Sequence, residues 1–173
     1  MAVLPIRIYP DPMLLKKAKP VQAVTPEIRK LVTDMTDTLY DAPGIGLAAP
    51  QVGVSLRVIV ADPSSRDHTS ELQALINPVI LWAEGEETLE EGCLSLPNIT
   101  EEVTRPARIR VSAWDRDGKD LQFETDGLLA RVIQHEIDHL EGIVILDHLG
   151  KAKRDLLKKK LIKKQKELAE ARM

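Results

Sequence analysis

Gln134-His-Glu-Ile-Asp-His-Leu-Glu-Gly142 is the stretch on which the reading of this chain turns. On an α-helix, residues four apart share a face, so His135 and His139 aim their imidazoles at one point. Glu136, beside the first histidine, is then placed to exchange protons with a water held at that point. A catalytic divalent ion needs a third protein ligand and an open corner. The single cysteine, Cys93, in Glu91-Gly-Cys-Leu-Ser-Leu-Pro97, is the leading candidate. Asp126 is placed to cap this helix and Gly142 to end it. Two rows run along it, Leu129, Ile133, Ile137 and Leu140 in one, Leu128, Val132, His135 and His139 in the other. A helix apolar over so wide an arc sits centrally. Two unpaired histidines buried there would cost a few kcal/mol each, which favours a bound ion over an idle polar pair.

The rest of the chain is read around that helix. Asp11-Pro12 and Thr25-Pro26 each read as a helix cap with proline at the first helical position. After Thr25, apolar residues at Ile28, Leu31, Val32, Met35 and Leu39 predict an amphipathic helix that stops near Pro43-Gly44. The stretch 44–51 is too rich in glycine and proline for regular structure. Leu56–Ala61 and Leu72–Ile76 read as buried strands around the polar loop Asp62–Glu71, with Asn77-Pro78 interrupting before a further strand from Val79 to Trp82. Five glutamates between 84 and 91 suggest a solvated hairpin. Ala107–Trp114 alternates as a half-buried strand, and Asp115-Arg-Asp-Gly118 turns it back into Asp120–Thr125. Lys151–Met173 reads as a helix with Leu157, Leu161 and Leu168 at helical spacing. Short, mostly antiparallel strands and helices mix without a βαβ rhythm. The expected class is α+β, a single catalytic domain over 1–173 with the basic helix 151–173 appended.

At 173 residues with 43% hydrophobic and 29% charged content, the chain has the composition of one globular domain. One cysteine excludes an internal disulfide and fits a reducing compartment. The first residues lack a targeting pattern and no run of about 18 apolar residues occurs, so the expected location is cytoplasmic, with no membrane partner. The net charge of −3 is unevenly spread. Residues 151–173 hold ten Lys/Arg against three Asp/Glu, and the remainder holds fourteen against twenty-four.

The third ligand separates the possible chemistries. One class of zinc peptidases continues the motif to a third histidine three residues after the glycine, but position 145 is Ile and His148 lies too far on. The acids of a possible later-helix ligand, Asp147, Asp155, Glu167 and Glu170, lie in or beside the basic tail. Cys93 remains, with a small buried core residue as its bland alternative. Gly44-Ile-Gly-Leu-Ala-Ala-Pro-Gln51 imitates a dinucleotide fingerprint but follows a helix where that fingerprint follows a strand. Close backbone approach to a ligand, with Gln51 offering an amide, suits it better. His68 reads as an exposed loop residue and His148 as structural or exposed.

Taken in order, Gly44-Ile-Gly-Leu-Ala-Ala-Pro-Gln51, Glu91-Gly-Cys-Leu-Ser95 and Gln134-His-Glu-Ile-Asp-His139 closely resemble the three signatures of the peptide deformylases, and the likeness extends over nearly the whole chain. The resemblance implies an amidohydrolase that removes the formyl group from the N-terminal formylmethionine of nascent polypeptides, releasing formate. It implies Cys93, His135 and His139 as ligands of one divalent ion, Fe²⁺ foremost, with Zn²⁺, Ni²⁺ or Co²⁺ as possible substitutes. Glu136 would be the general acid/base, and the Gln51 amide and the Leu94 backbone N–H would face the oxyanion. The methionine side chain would fall among Ile45, Leu128 and Val132, with Gly46 presenting backbone to the peptide and Arg131 near the pocket mouth. Glu91 would pair with Arg105. In relatives of this form a basic C-terminal helix contacts the ribosome near the exit tunnel; +7 over 23 residues suits polyanionic RNA, and no role on DNA is expected. A zinc endopeptidase and a non-catalytic, ribosome-associated metal-binding module are the rival readings. The missing histidine at 145 counts against the first, and the acid/base group at Glu136 against the second.

Overall fold

A computed structural model describes residues 2–64 and 71–171. Among the described residues, seven strands and three α-helices alternate irregularly: α1 (Pro26–Asp41), β1 (Gly46–Ala48), β2 (Val58–Ala61), β3 (Gln73–Glu84), β4 (Glu87–Cys93), β5 (Leu96–Arg105), β6 (Arg108–Trp114), β7 (Asp120–Asp126), α2 (Gly127–Leu140) and α3 (Lys151–Ala171). The α+β expectation holds, with every strand pair antiparallel.

Five strands form one sheet in the order β1-β2-β3-β6-β7, while β4 and β5 pair as a separate hairpin. β2 is buried throughout, and its period of two explains the layering. Val58 and Val60 face α1 and pack with Val32, Met35 and Leu39. Ile59 and Ala61 face the other way and pack with Ile109, Val132, Ile133 and Leu140 of the α2 layer. The sheet is therefore covered on both faces at β2, which is why 58–61 reads as an apolar run, whereas β6 and β7 alternate between covered and open positions. A third core lies under the hairpin, where Leu96 and Val103 meet Val144, Ile145, Leu146 and Leu161. That core docks α3 against the strands leading into Cys93.

The caps work as their residue types require. Thr25 accepts from Ile28 N–H at 3.3 Å and Asp11 from Met13 N–H at 2.9 Å. Asp126 occupies the cap position of α2 without a side-chain bond, so the expected cap is positional only. Gly142 follows α2 with φ of +74° and ends it as expected.

Two local expectations fail. Residues 46–48, expected to be irregular, form β1 by pairing with 59–61. Such a short strand has no local signal; its partner makes it. Asn77-Pro78 does not end β3 but shifts its register. Asn77 adopts φ of +52°, and its side-chain amide bonds both the N–H and C=O of Val21 at 2.8 Å. A proline at a register shift sacrifices no ladder bond. The strand β5 carried no expectation, because Pro97 and its glutamates mask it; Glu102 is exposed, whereas Glu101 is largely covered by its pairing with Lys153. His68 lies outside the described residues.

Candidate metal centre

Two elements meet at the site. α2 supplies His135, Glu136 and His139 from one face, and the end of the hairpin supplies Cys93. The pairing shifts register between Gly92 and Cys93, so that Cys93 opposes Leu96 where Gly92 opposes Thr100. A bulge of this kind re-aims the side chain that follows it. The ligating atoms of Cys93, His135 and His139 all lie within 4.8 Å of one another. Cys93 Sγ is 3.3 Å from His139 Nε2.

The far side of His135 is held by a carboxylate. Its Nδ1 lies 3.0 Å from Glu91 Oε1, which leaves Nε2 for the shared point. Glu91 is gripped in turn by Arg105, through Nε at 2.6 Å and Nη2 at 2.9 Å, and by Nη1 of Arg131. Arg105 also donates to Asp138 at 2.8 Å, and Asp138 meets His148 Nε2 at 2.8 Å. Burial alone would raise the Glu91 carboxyl. The hydrogen bonds and charges of His135 and Arg105 reverse that and hold it well below the usual carboxylate range. The Cys93 thiol is likewise lowered, because the two imidazoles outweigh its burial. Glu136 behaves oppositely: burial dominates and pushes it up to about 7, with Cys93 adding and the imidazoles opposing.

These residues fit a divalent cation. They offer one thiolate and two imidazoles, one of which is fixed by a second carboxylate. Glu136 Oε1 is buried without a hydrogen-bond partner, as an oxygen awaiting a water or substrate would be. His139 Nδ1 also has no partner among the described residues, so nothing comparable to Glu91 orients that ring there.

A cleft of about 560 Å³ opens beside these groups. Ile45, Gly46, Gln51, Leu94, Leu128, Val132, His135 and Glu136 all line it. A Cβ at Gly46 would lie 2.5 Å from Glu136 Oε2 and 2.6 Å from Val132 Cγ1, so a larger residue there would push those side chains aside. Leu128 is 45% exposed at the rim, whereas Val132 is buried deeper. Gln51 is buried, with its Oε1 accepting from Ala48 N–H at 2.9 Å and its Nε2 lying 3.7 Å from Cys93 Sγ. Arg131 borders the cleft but is only 5% exposed. Its guanidinium is spent on Glu91, Val103 O and Glu87 O. Arg131 thus lines the cleft, as implied, while its guanidinium braces the wall from behind. Sequence reasoning paired Glu91 with Arg105 but missed Arg131, Asp138 and His148 as further members of the network.

Comparisons with known proteins agree on one family. The model of the polypeptide deformylase family matches residues 3–155. Peptide deformylase 1 of Ralstonia nicotianae is 54% identical over 171 residues, covering 98% of this chain and 99% of the relative. The peptide deformylase of Thermodesulfovibrio yellowstonii is 50% identical over 160 residues, covering 92% of this chain and 97% of the relative. The crystal structure of a peptide deformylase from Legionella pneumophila matches the fold with a TM-score of 0.89 at 43% identity, covering 97% of this chain and 98% of that one. This chain therefore belongs to the polypeptide deformylase family, metal-dependent hydrolases that remove the N-formyl group from nascent peptides.

Proposed function

We propose that Cys93, His135 and His139 hold a single Fe²⁺ ion and that deformylation takes place in the cleft beside it. The observation that carries this reading is the convergence of the three ligating atoms within 4.8 Å, next to an unpartnered Glu136 oxygen. When bound, such an ion supplies Lewis acidity toward water and the formyl oxygen. Glu136 takes the proton from the attacking water and hands it to the departing amine nitrogen. A carboxyl that burial pushes up to about 7 suits both halves of that exchange near neutral pH. The Gln51 amide and the Leu94 backbone N–H donate to the oxyanion, each worth about 3 kcal/mol in comparable sites. Ile45, Leu128 and Val132 receive the methionine side chain, and Gly46 lets the peptide backbone pass close to Glu136. Arg131 serves that wall indirectly, through Glu91.

The donor set also suits zinc, so the metal is decided by experiment. Protein purified without oxygen is expected to carry Fe²⁺ and to release formate from a formyl-Met tripeptide. Metal-free protein reloaded with Zn²⁺ is expected to be slower. Equal rates with both metals, or no formate release from either form, would overturn the assignment.

The whole chain acts as one catalytic unit in the cytoplasm, with α3 as an appended contact for the ribosome. The family match stops at residue 155, so most of α3 lies beyond it. Exposed lysines cover that helix, and they suit a salt-sensitive hold on ribosomal RNA near the exit tunnel. Co-sedimentation with ribosomes that fades between low and moderate salt tests it.

A further inference from the structure

We infer that Ser95 is a positioning residue for the Gln51 amide. The inference rests on the reading of Gln51 as an oxyanion donor. Ser95 is fully buried, two residues beyond Cys93, at the end of the two-residue turn from β4 into β5. Its Oγ accepts from Gln51 Nε2 at 3.1 Å. The other end of the same amide is committed as well, because Oε1 accepts from Ala48 N–H at 2.9 Å. A backbone N–H can only donate, so this bond settles which end of the amide is oxygen. The second N–H of Nε2 is then left on the side of the Cys93 sulfur, at a long 3.7 Å. That is the N–H available to a developing oxyanion in the cleft.

Ser95 thus takes one of the two amide hydrogens so that the other stays aimed. The backbones of both residues are tied to one segment: Arg7 N–H donates to Gln51 O at 2.6 Å, and Tyr9 N–H to Ser95 O at 3.0 Å. The spacing between the hydroxyl and the amide is therefore set by more than their mutual bond. Without the hydroxyl, the buried amide loses a partner and is free to turn its N–H from the reacting carbonyl. Small misplacements of such groups reduce turnover strongly.

The test is a double-mutant cycle on a formyl-Met tripeptide, with bound metal measured for each variant. Ser95→Ala is expected to lower kcat about tenfold, by partial misplacement of one donor, with KM within about twofold and bound metal unchanged. In a Gln51→Ala background the same substitution is expected to change kcat by less than about twofold. Independently of activity, ¹⁵N NMR of the metal-free protein should show the Gln51 side-chain amide protons exchanging at least about tenfold faster in Ser95→Ala, as expected for a lost buried bond. Ser95→Cys keeps the volume with a weaker acceptor and should give an intermediate loss with the same non-additivity; it carries the cycle if Ser95→Ala folds poorly. Equal losses in both backgrounds, or no loss, would overturn the role of Ser95 while leaving Gln51 as donor. A Gln51→Ala variant with wild-type kcat would sink the donor reading and this inference with it.

Discussion

Helices α2 and α3 make opposite use of the same backbone geometry. α2 has eight buried residues in fourteen, including Arg131, Glu136 and His139. Nearly every polar side chain on its inner face has a named partner, and the exceptions, Glu136 Oε1 and His139 Nδ1, lie at the chemistry. α3 has a single buried residue in twenty-one, Leu161, and spreads its lysines into solvent. One of its few fixed charges is Lys153, which meets Glu101 of β5 at 2.6 Å. Burial makes each charge on α2 consequential, because an unpaired one costs several kcal/mol. Exposure makes each charge on α3 individually cheap and collectively long-ranged. The contrast is what fits α2 to the proposed chemistry and α3 to the proposed docking role.

Four experiments would break or sharpen that contrast. The largest effect is expected from Glu136→Gln, which should retain metal and lower kcat by about 10²–10⁴-fold, the usual worth of general acid/base catalysis. Steady-state formate release checks it, and a rate near wild type would remove Glu136 from the chemistry. Arg105→Met should come next in severity. It leaves the Glu91 and Asp138 carboxylates short of a cation and should cost about 3–5 kcal/mol in urea unfolding. A loss under 1 kcal/mol would show that Arg131 alone satisfies Glu91.

Asp138→Asn probes the same network through pH. The folded-state Asp138 carboxyl is lowered: burial alone would raise it, but His148 and Arg105 more than compensate. A depressed carboxylate contributes stability above its unfolded pKa and loses it as pH falls through the folded value. Wild-type protein, stripped of metal, should therefore exceed the variant by about 1.5–3 kcal/mol near neutrality. That gap should close as pH falls from about 4 through the lower folded value. A gap independent of pH would mean that packing, not charge, holds this position. The smallest effect on turnover is expected from replacing Lys159, Lys160, Lys163 and Lys164 with Gln. Formate release from a small peptide should stay within about twofold, while ribosome binding should weaken and lose part of its salt dependence. Unchanged binding would confine α3 to docking on the hairpin.

Much of this was legible before any coordinates. The period of the apolar residues marked α1 and α2, and the His-Glu-x-x-His spacing marked three of the residues at the site. Cys93 was legible only as the leading remaining ligand, since no local rule brings β4 to α2. β1 and the continuity of β3 through Asn77 were illegible for a related reason: both depend on partners far away in sequence. Arg131 illustrates the limit well. The resemblance implied a place near the pocket mouth, but only the fold shows that its guanidinium runs back to Glu91 and to two carbonyls of the hairpin.

What the sequence determined by itself was the set of available chemistry: which residues can bind a cation, which can move a proton, and which helix is apolar enough to be central. These follow from side-chain type and from periodicities of a few residues. Only the tertiary structure decided that the sulfur reaches the imidazoles, that Glu91 backs His135, and that Ser95 meets Gln51. Those contacts span 42–46 residues of sequence for the sulfur, its neighbours and Glu91. Their geometry is set by how a bulged hairpin packs on a buried helix, a long-range outcome that no short stretch encodes.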